Sequence, residues 1–121
     1  DTGLEQAGFP LDTIVQDRTG LGETGETLFG RNEVDHALFL NPLLFDQDAA
    51  LERKAYYSEE DALPIREATR GIQGSGFTLD YRAEPIAAAW KPIPNTNWGL
   101  VAKIDVGELD TPVIILRNVI Q

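Results

Sequence analysis

The 121-residue chain contains no cysteine and no methionine, one histidine (His36) and two serines (Ser58 and Ser75). Each scarcity removes a class of chemistry. Without cysteine there is no disulfide framework, no thiol nucleophile and no thiolate metal site. One histidine, placed at a predicted hairpin, gives zinc catalysis no ligand set. Neither serine lies in a Gly-x-Ser-x-Gly setting, so a hydrolase triad has no support. Positive charge is scarce as well: 10 Lys and Arg stand against 20 Asp and Glu, a net charge of −10. That balance argues against nucleic acid and against an anionic membrane surface as partners. No apolar run approaches the roughly 18 residues that span a bilayer. Methionine is absent even from position 1, so the chain is expected to be a processed product or a piece excised from a larger protein.

What is present is an ordinary globular mixture, 42% hydrophobic and 25% charged, of one domain's length. Its organising stretch is residues 75–105. Alternation and turn residues predict three consecutive strands there, over 76–81, 85–91 and 98–105. The connections Arg82-Ala83-Glu84 and 92–97 are too short for a crossover helix, so the strands pair antiparallel. Two earlier strands are predicted at 27–31 and 37–41, closed by Asn41-Pro42. Between the two groups runs an acidic excursion over 43–62, long enough without periodicity to suggest a job. A helix follows, with Asp61 as its N-cap, an apolar stripe of Ile65, Ala68 and Ile72, and Gly71 and Gly74 at its end. Leu11, Ile14 and Val15 suggest an earlier helix over 10–19. After Ile104, Asp105 and Glu108 fit a capping box, and Val106, Leu109, Val113, Leu116 and Ile120 recur at 3-4-3-4 spacing. That seam suggests an exit helix and a weak homodimer through the terminal helices.

Two motifs carry little chemistry. Gly20, Gly22 and Gly25 spell Gly-x-Gly-x-x-Gly, but the motif precedes a strand rather than opening a helix, and Glu23 and Glu26 would repel a pyrophosphate. Asp46, Asp48 and Glu52 offer oxygen ligands without the glycine or spacing of a calcium loop, and read as a solvated acidic face. No cofactor or metal is expected.

Strand alternation places Ile86, Ala88 and Trp90 on one face of the middle strand and Ala87, Ala89 and Lys91 on the other. Three alanines in succession leave volume for a larger neighbour or a ligand. Lys103 and Asp105 share a face and can pair or receive a polar ligand, and Arg53, Tyr56 and Tyr57 can close over it from the excursion. The candidate ligand-binding set is Arg53, Tyr56, Tyr57, Asp80, Trp90, Lys91, Lys103 and Asp105. Arg53, Lys91 and Lys103 make a carboxylate the suggested ligand.

Two stretches carry a resemblance. Gly20-Leu21-Gly22-Glu23-Thr24-Gly25-Glu26-Thr27 resembles the entry to the first central strand of Cache domains. The segments Asp80-Tyr81-Arg82, 86–94 and Trp98-Gly99-Leu100-Val101-Ala102-Lys103-Ile104-Asp105 resemble the closing strands of the same family. Ala83 departs from the pattern, where glycine is usual. Cache domains are PAS-like extracytoplasmic sensor modules of bacterial histidine kinases, chemoreceptors and diguanylate cyclases. The resemblance implies an α+β fold: a central antiparallel sheet of about five strands flanked by helices, with a C-terminal helix leaving toward the membrane. It implies one non-enzymatic sensing domain over 1–121, on the extracytoplasmic or periplasmic side of an inner-membrane protein, with a small-molecule ligand. Membrane contact would come only through flanking segments. The alternative is a structural or dimerisation module that binds no ligand.

Overall fold

The computed structural model describes residues 22–109. Six strands form one curled antiparallel sheet: β1 (Glu26–Asn32), β2 (His36–Phe39), β3 (Lys54–Tyr56), β4 (Gly74–Leu79), β5 (Pro85–Pro92) and β6 (Trp98–Asp105). Their lateral order is β3-β2-β1-β6-β5-β4. One helix, α1 (Leu63–Ala68), joins β3 to β4. The meander β4–β5–β6 runs antiparallel through the pairs Phe77↔Ala87 and Ala89↔Ala102. β6 also pairs with β1, and that register sets Glu26 opposite Lys103.

The registers sort side chains onto two faces. Leu28, Phe39, Ile86, Ala88, Trp90, Val101 and Lys103 share the inner face, and all are buried. α1 lies on it, near β5 and β6. The approach is close because the strands offer glycine: a Cβ on Gly99 would stand 2.6 Å from the Cβ of Ala68 and 2.7 Å from its backbone carbon. Phe39, Leu43, Ile65, Ile86 and Val101 are the large apolar side chains most completely enclosed. Each contributes about 1.5–3 kcal/mol by leaving water.

The expectation of an α+β, PAS-like domain with about five strands flanked by helices is overturned. The described residues are mostly sheet, with six strands and one short helix. The extra strand, β3, arises inside the excursion, where Ala55 is buried and pairs with Ala37 on β2. The helix predicted from Ile65, Ala68 and Ile72 stops after six residues. Gly71 turns the chain at φ +87° and leaves Ile72 exposed. Its cap is not Asp61 but Ala62, held left-handed at φ 53° with no side-chain bond. The predicted capping box also does not form. The Asp105 carboxylate is taken by Arg82, Glu108 turns back to Thr24 and the Glu23 amide, and Val106–Glu108 makes only a 3-10 turn. The predicted helix over 10–19 and the seam beyond Leu109 lie outside the described residues.

The β4–β5 turn has a specific geometry. Asp80 Oδ1 accepts the amides of Arg82 and Glu84, while Asp80 N donates to Glu84 O. Closing the loop this way sets Ala83 at φ +62°, the left-handed region that costs a residue with a Cβ about 1–2 kcal/mol.

Candidate functional site

The centre of the inner face is a closed network of charge. Lys103 is 1% exposed, yet its ammonium lies 3.1 Å from Glu26, 3.2 Å from Asp80 and 3.7 Å from Asp105. Arg82 spans Asp80 at 2.7 Å and Asp105 at 2.5 Å. The Tyr81 hydroxyl donates to Glu26 Oε1 at 2.8 Å and accepts the Phe45 amide at 3.1 Å. Glu26 Oε2 accepts the Leu44 amide at 2.8 Å. Glu26 therefore faces three donors, the arrangement that suits an ionised carboxylate.

Titration follows from these contacts. Burial alone would raise the Asp80 carboxyl. Hydrogen bonds from the Arg82 side chain and from the Arg82 and Glu84 amides, with the Lys103 charge, outweigh it and hold Asp80 below the ordinary aspartate value. Burial likewise works against the Arg82 guanidinium, but its bonds to Asp105 and Asp80 raise it overall. Burial, then the neighbouring Glu26 charge, push the Tyr81 hydroxyl far above its usual range, so it stays a neutral phenol.

The excursion roofs this network. Leu43 and Asp46 exchange backbone hydrogen bonds at 3.0 and 3.1 Å, closing a tight turn with Leu44 and Phe45 at its tip. The Phe45 ring lies 3.8 Å from the Arg82 guanidinium carbon and 5.2 Å from the Lys103 nitrogen. Arg53 ties the roof down, donating to Asp46 at 2.9 Å and to the Tyr81 carbonyl at 2.7 Å, with its guanidinium over the Tyr81 ring. Between the sheet and the start of α1, a cavity bordered by Leu28, Ile65, Asp80, Tyr81 and Lys103 measures about 10 Å³. That is about the room one water needs.

The structure thus joins Asp80, Lys103 and Asp105 of the sequence-derived set, with Arg53 at their margin. It does not bring the others to them. Tyr56 is exposed on the edge strand β3 and packs against His36. Tyr57 bonds Asn32 and Thr69, under Arg70. Trp90 gives its indole N–H to Glu67. Lys91 follows Trp90 on β5 and takes the opposite face of the sheet. Glu26, Tyr81, Arg82 and Phe45 were missed as site residues. Glu26 carries no local signal: it faces Lys103 as a cross-strand pair only through the β1–β6 register. Arg53 is paired with Asp46, so the cations behind the carboxylate expectation are engaged already. Among the described residues no cluster of three or more His, Asp or Glu could hold a metal ion. No family model matches the chain, and no curated protein matches it.

Proposed function

We propose that this chain is a non-enzymatic sensing module: the extracytoplasmic small-molecule-binding domain of a bacterial transmembrane signalling protein. The observation that carries the reading is the buried charge network under the Leu43–Asp46 turn. Burying ions costs several kcal/mol each before pairing repays it. A fold seeking stability alone does better with apolar side chains there. The two Cache-like sequence stretches support the same reading. Catalysis is not favoured, because Lys103 is held between carboxylates and Tyr81 is held neutral, which leaves neither as a ready nucleophile or base. No helix among the described residues is long and apolar enough to cross a membrane, so anchoring would fall to other parts of the parent protein.

A second reading has its own observation. The cavity holds about one water, and the network satisfies itself, as suits a structural or dimerisation module. Thermal melting of the chain against carboxylates, amines, sugars and purines separates the two. A ligand at 100 times its dissociation constant adds about 2.7 kcal/mol, an upward shift of roughly 10 °C. A hit of any class supports sensing. A flat panel overturns it in favour of the structural module.

A further inference from the structure

We propose that the Leu43–Asp46 turn is a built-in plug over the charged site, and that the ligand displacing it is a primary amine carrying an aromatic or similarly flat apolar group. The inference rests on the sensing reading above and names the ligand class for that site.

Three observations converge. The first is charge. Lys103, Glu26 and Asp80, the three most buried ionic groups of the network, sum to −1. Adding Arg82 and Asp105 leaves the sum at −1, and the neighbouring pair Arg53 and Asp46 does not change it. A carboxylate ligand would deepen that excess, whereas a cation cancels it. The second is the chemistry of the plug. Its tip offers two consecutive backbone N–H donors, Leu44 to Glu26 and Phe45 to Tyr81. An ammonium group offers three donors to the same two acceptors and brings the missing charge. The third is the ring. Phe45 is 45% exposed, although its face covers Arg82 and Lys103. A ligand ring can take over that cation–π contact as the side chain swings into water. The turn is closed by its own two hydrogen bonds. Leu43, fully buried, and Asp46, held by Arg53, stay in place as its base, and the tip residues Leu44 and Phe45 are the part that swings.

The test uses the whole chain with three matched probes: 2-phenylethylamine, 3-phenylpropanoate and 2-phenylethanol, each titrated calorimetrically. The amine is expected to bind saturably and the other two not. Glu26→Gln is expected to weaken amine binding at least about tenfold, the size of one charge-assisted hydrogen bond. Phe45→Ala, at a half-exposed tip, is expected to strengthen it about tenfold by removing the competitor. Because Glu26→Gln could also unfold the protein, Phe45→Trp gives an independent readout: the fluorescence of the introduced indole should shift toward that of solvent-exposed indole as amine saturates. Amine binding with equal affinity in wild type and Phe45→Ala, or with no change in the fluorescence of the Phe45→Trp variant, overturns the plug. Binding of the carboxylate in preference to the amine overturns the ligand class and leaves the sensing reading standing. Silence of all three probes in both wild type and Phe45→Ala overturns this proposal. The broader ligand panel then decides the sensing reading by itself.

Discussion

Replacing Lys103 by methionine removes the cation at the centre of the network while nearly keeping the length and volume of the side chain. Glu26 and Asp80 remain, 6% and 3% exposed. Their losses differ. Asp80 keeps the Arg82 side chain and two backbone amides. Glu26 keeps only Tyr81 and the Leu44 amide, both neutral donors. Removing one partner of a buried ion pair costs about 3–5 kcal/mol. Because Asp80 is still served, the low end applies, about 3 kcal/mol. At roughly 4 °C per kcal/mol for a domain of this length, Tm falls by about 12 °C. Thermal and urea unfolding at pH 7 measure it. The buried position predicts nearly the same loss at high salt as at low salt. Adding Glu26→Gln to Lys103→Met removes the stranded charge and should recover about half of the loss. A fall under about 4 °C, or a second substitution that simply adds its own cost, would refute the claim that the ions form one coupled unit.

Ala83→Gly should stabilise by about 0.5–1 kcal/mol, because glycine relieves the left-handed strain at φ +62° but brings its own entropy cost; a lower Tm would contradict the turn geometry. Gly99→Ala should destabilise by about 1–3 kcal/mol, since its Cβ would meet the backbone of α1 at 2.7 Å; urea unfolding that matched wild type would show that α1 does not pack so closely. Asp80 titrates below its ordinary value when folded. Its contribution is therefore complete above the unfolded aspartate pKa of about 3.9 and is lost as pH falls through the folded value. The Tm gap between wild type and Asp80→Asn should accordingly be wide at pH 7 and narrower at pH 3, and a constant gap would remove Asp80 from the acid limb.

The meander was legible because its signals are local. Alternating side chains and short polar turns mark β4, β5 and β6, and the turn lengths alone dictate antiparallel pairing. At Ala83 the sequence showed only a departure from glycine; that the turn keeps a left-handed residue there, at φ +62°, comes from the structure. β3 was not, because three residues beginning with Lys54 and ending with Tyr56 show no period, and only the pairing with β2 makes them a strand. The helix length was misjudged for a related reason: Ile72 fits the stripe by spacing, but Gly71 turns the chain before it can join. Lys103 and Asp105 were expected to share a face and either pair or receive a ligand; they do pair, at 3.7 Å, but the closer partners Glu26 and Asp80 were not foreseen. A lysine is almost never fully buried unless paired. The pairing depends on Glu26, whose position opposite Lys103 follows from the β1–β6 register rather than from anything near either residue.

That register offers the competing explanation for the buried charges. A slip of one residue between β1 and β6 would turn Glu26 and Lys103 to different faces and strand both ions. The network could thus fix the register, as buried polar groups do in some folds. The two explanations part at the doubly substituted protein. If Lys103→Met with Glu26→Gln regains stability and melts as a single cooperative state, the register is carried by Leu28, Phe39, Val101 and the glycines under α1, without help from the ions. Register specification is then removed as an explanation for the buried charges, and the sensing proposal keeps its ground. If the double variant melts broadly or populates two states, the ions specify the fold. The sensing proposal must then rest on ligand binding alone.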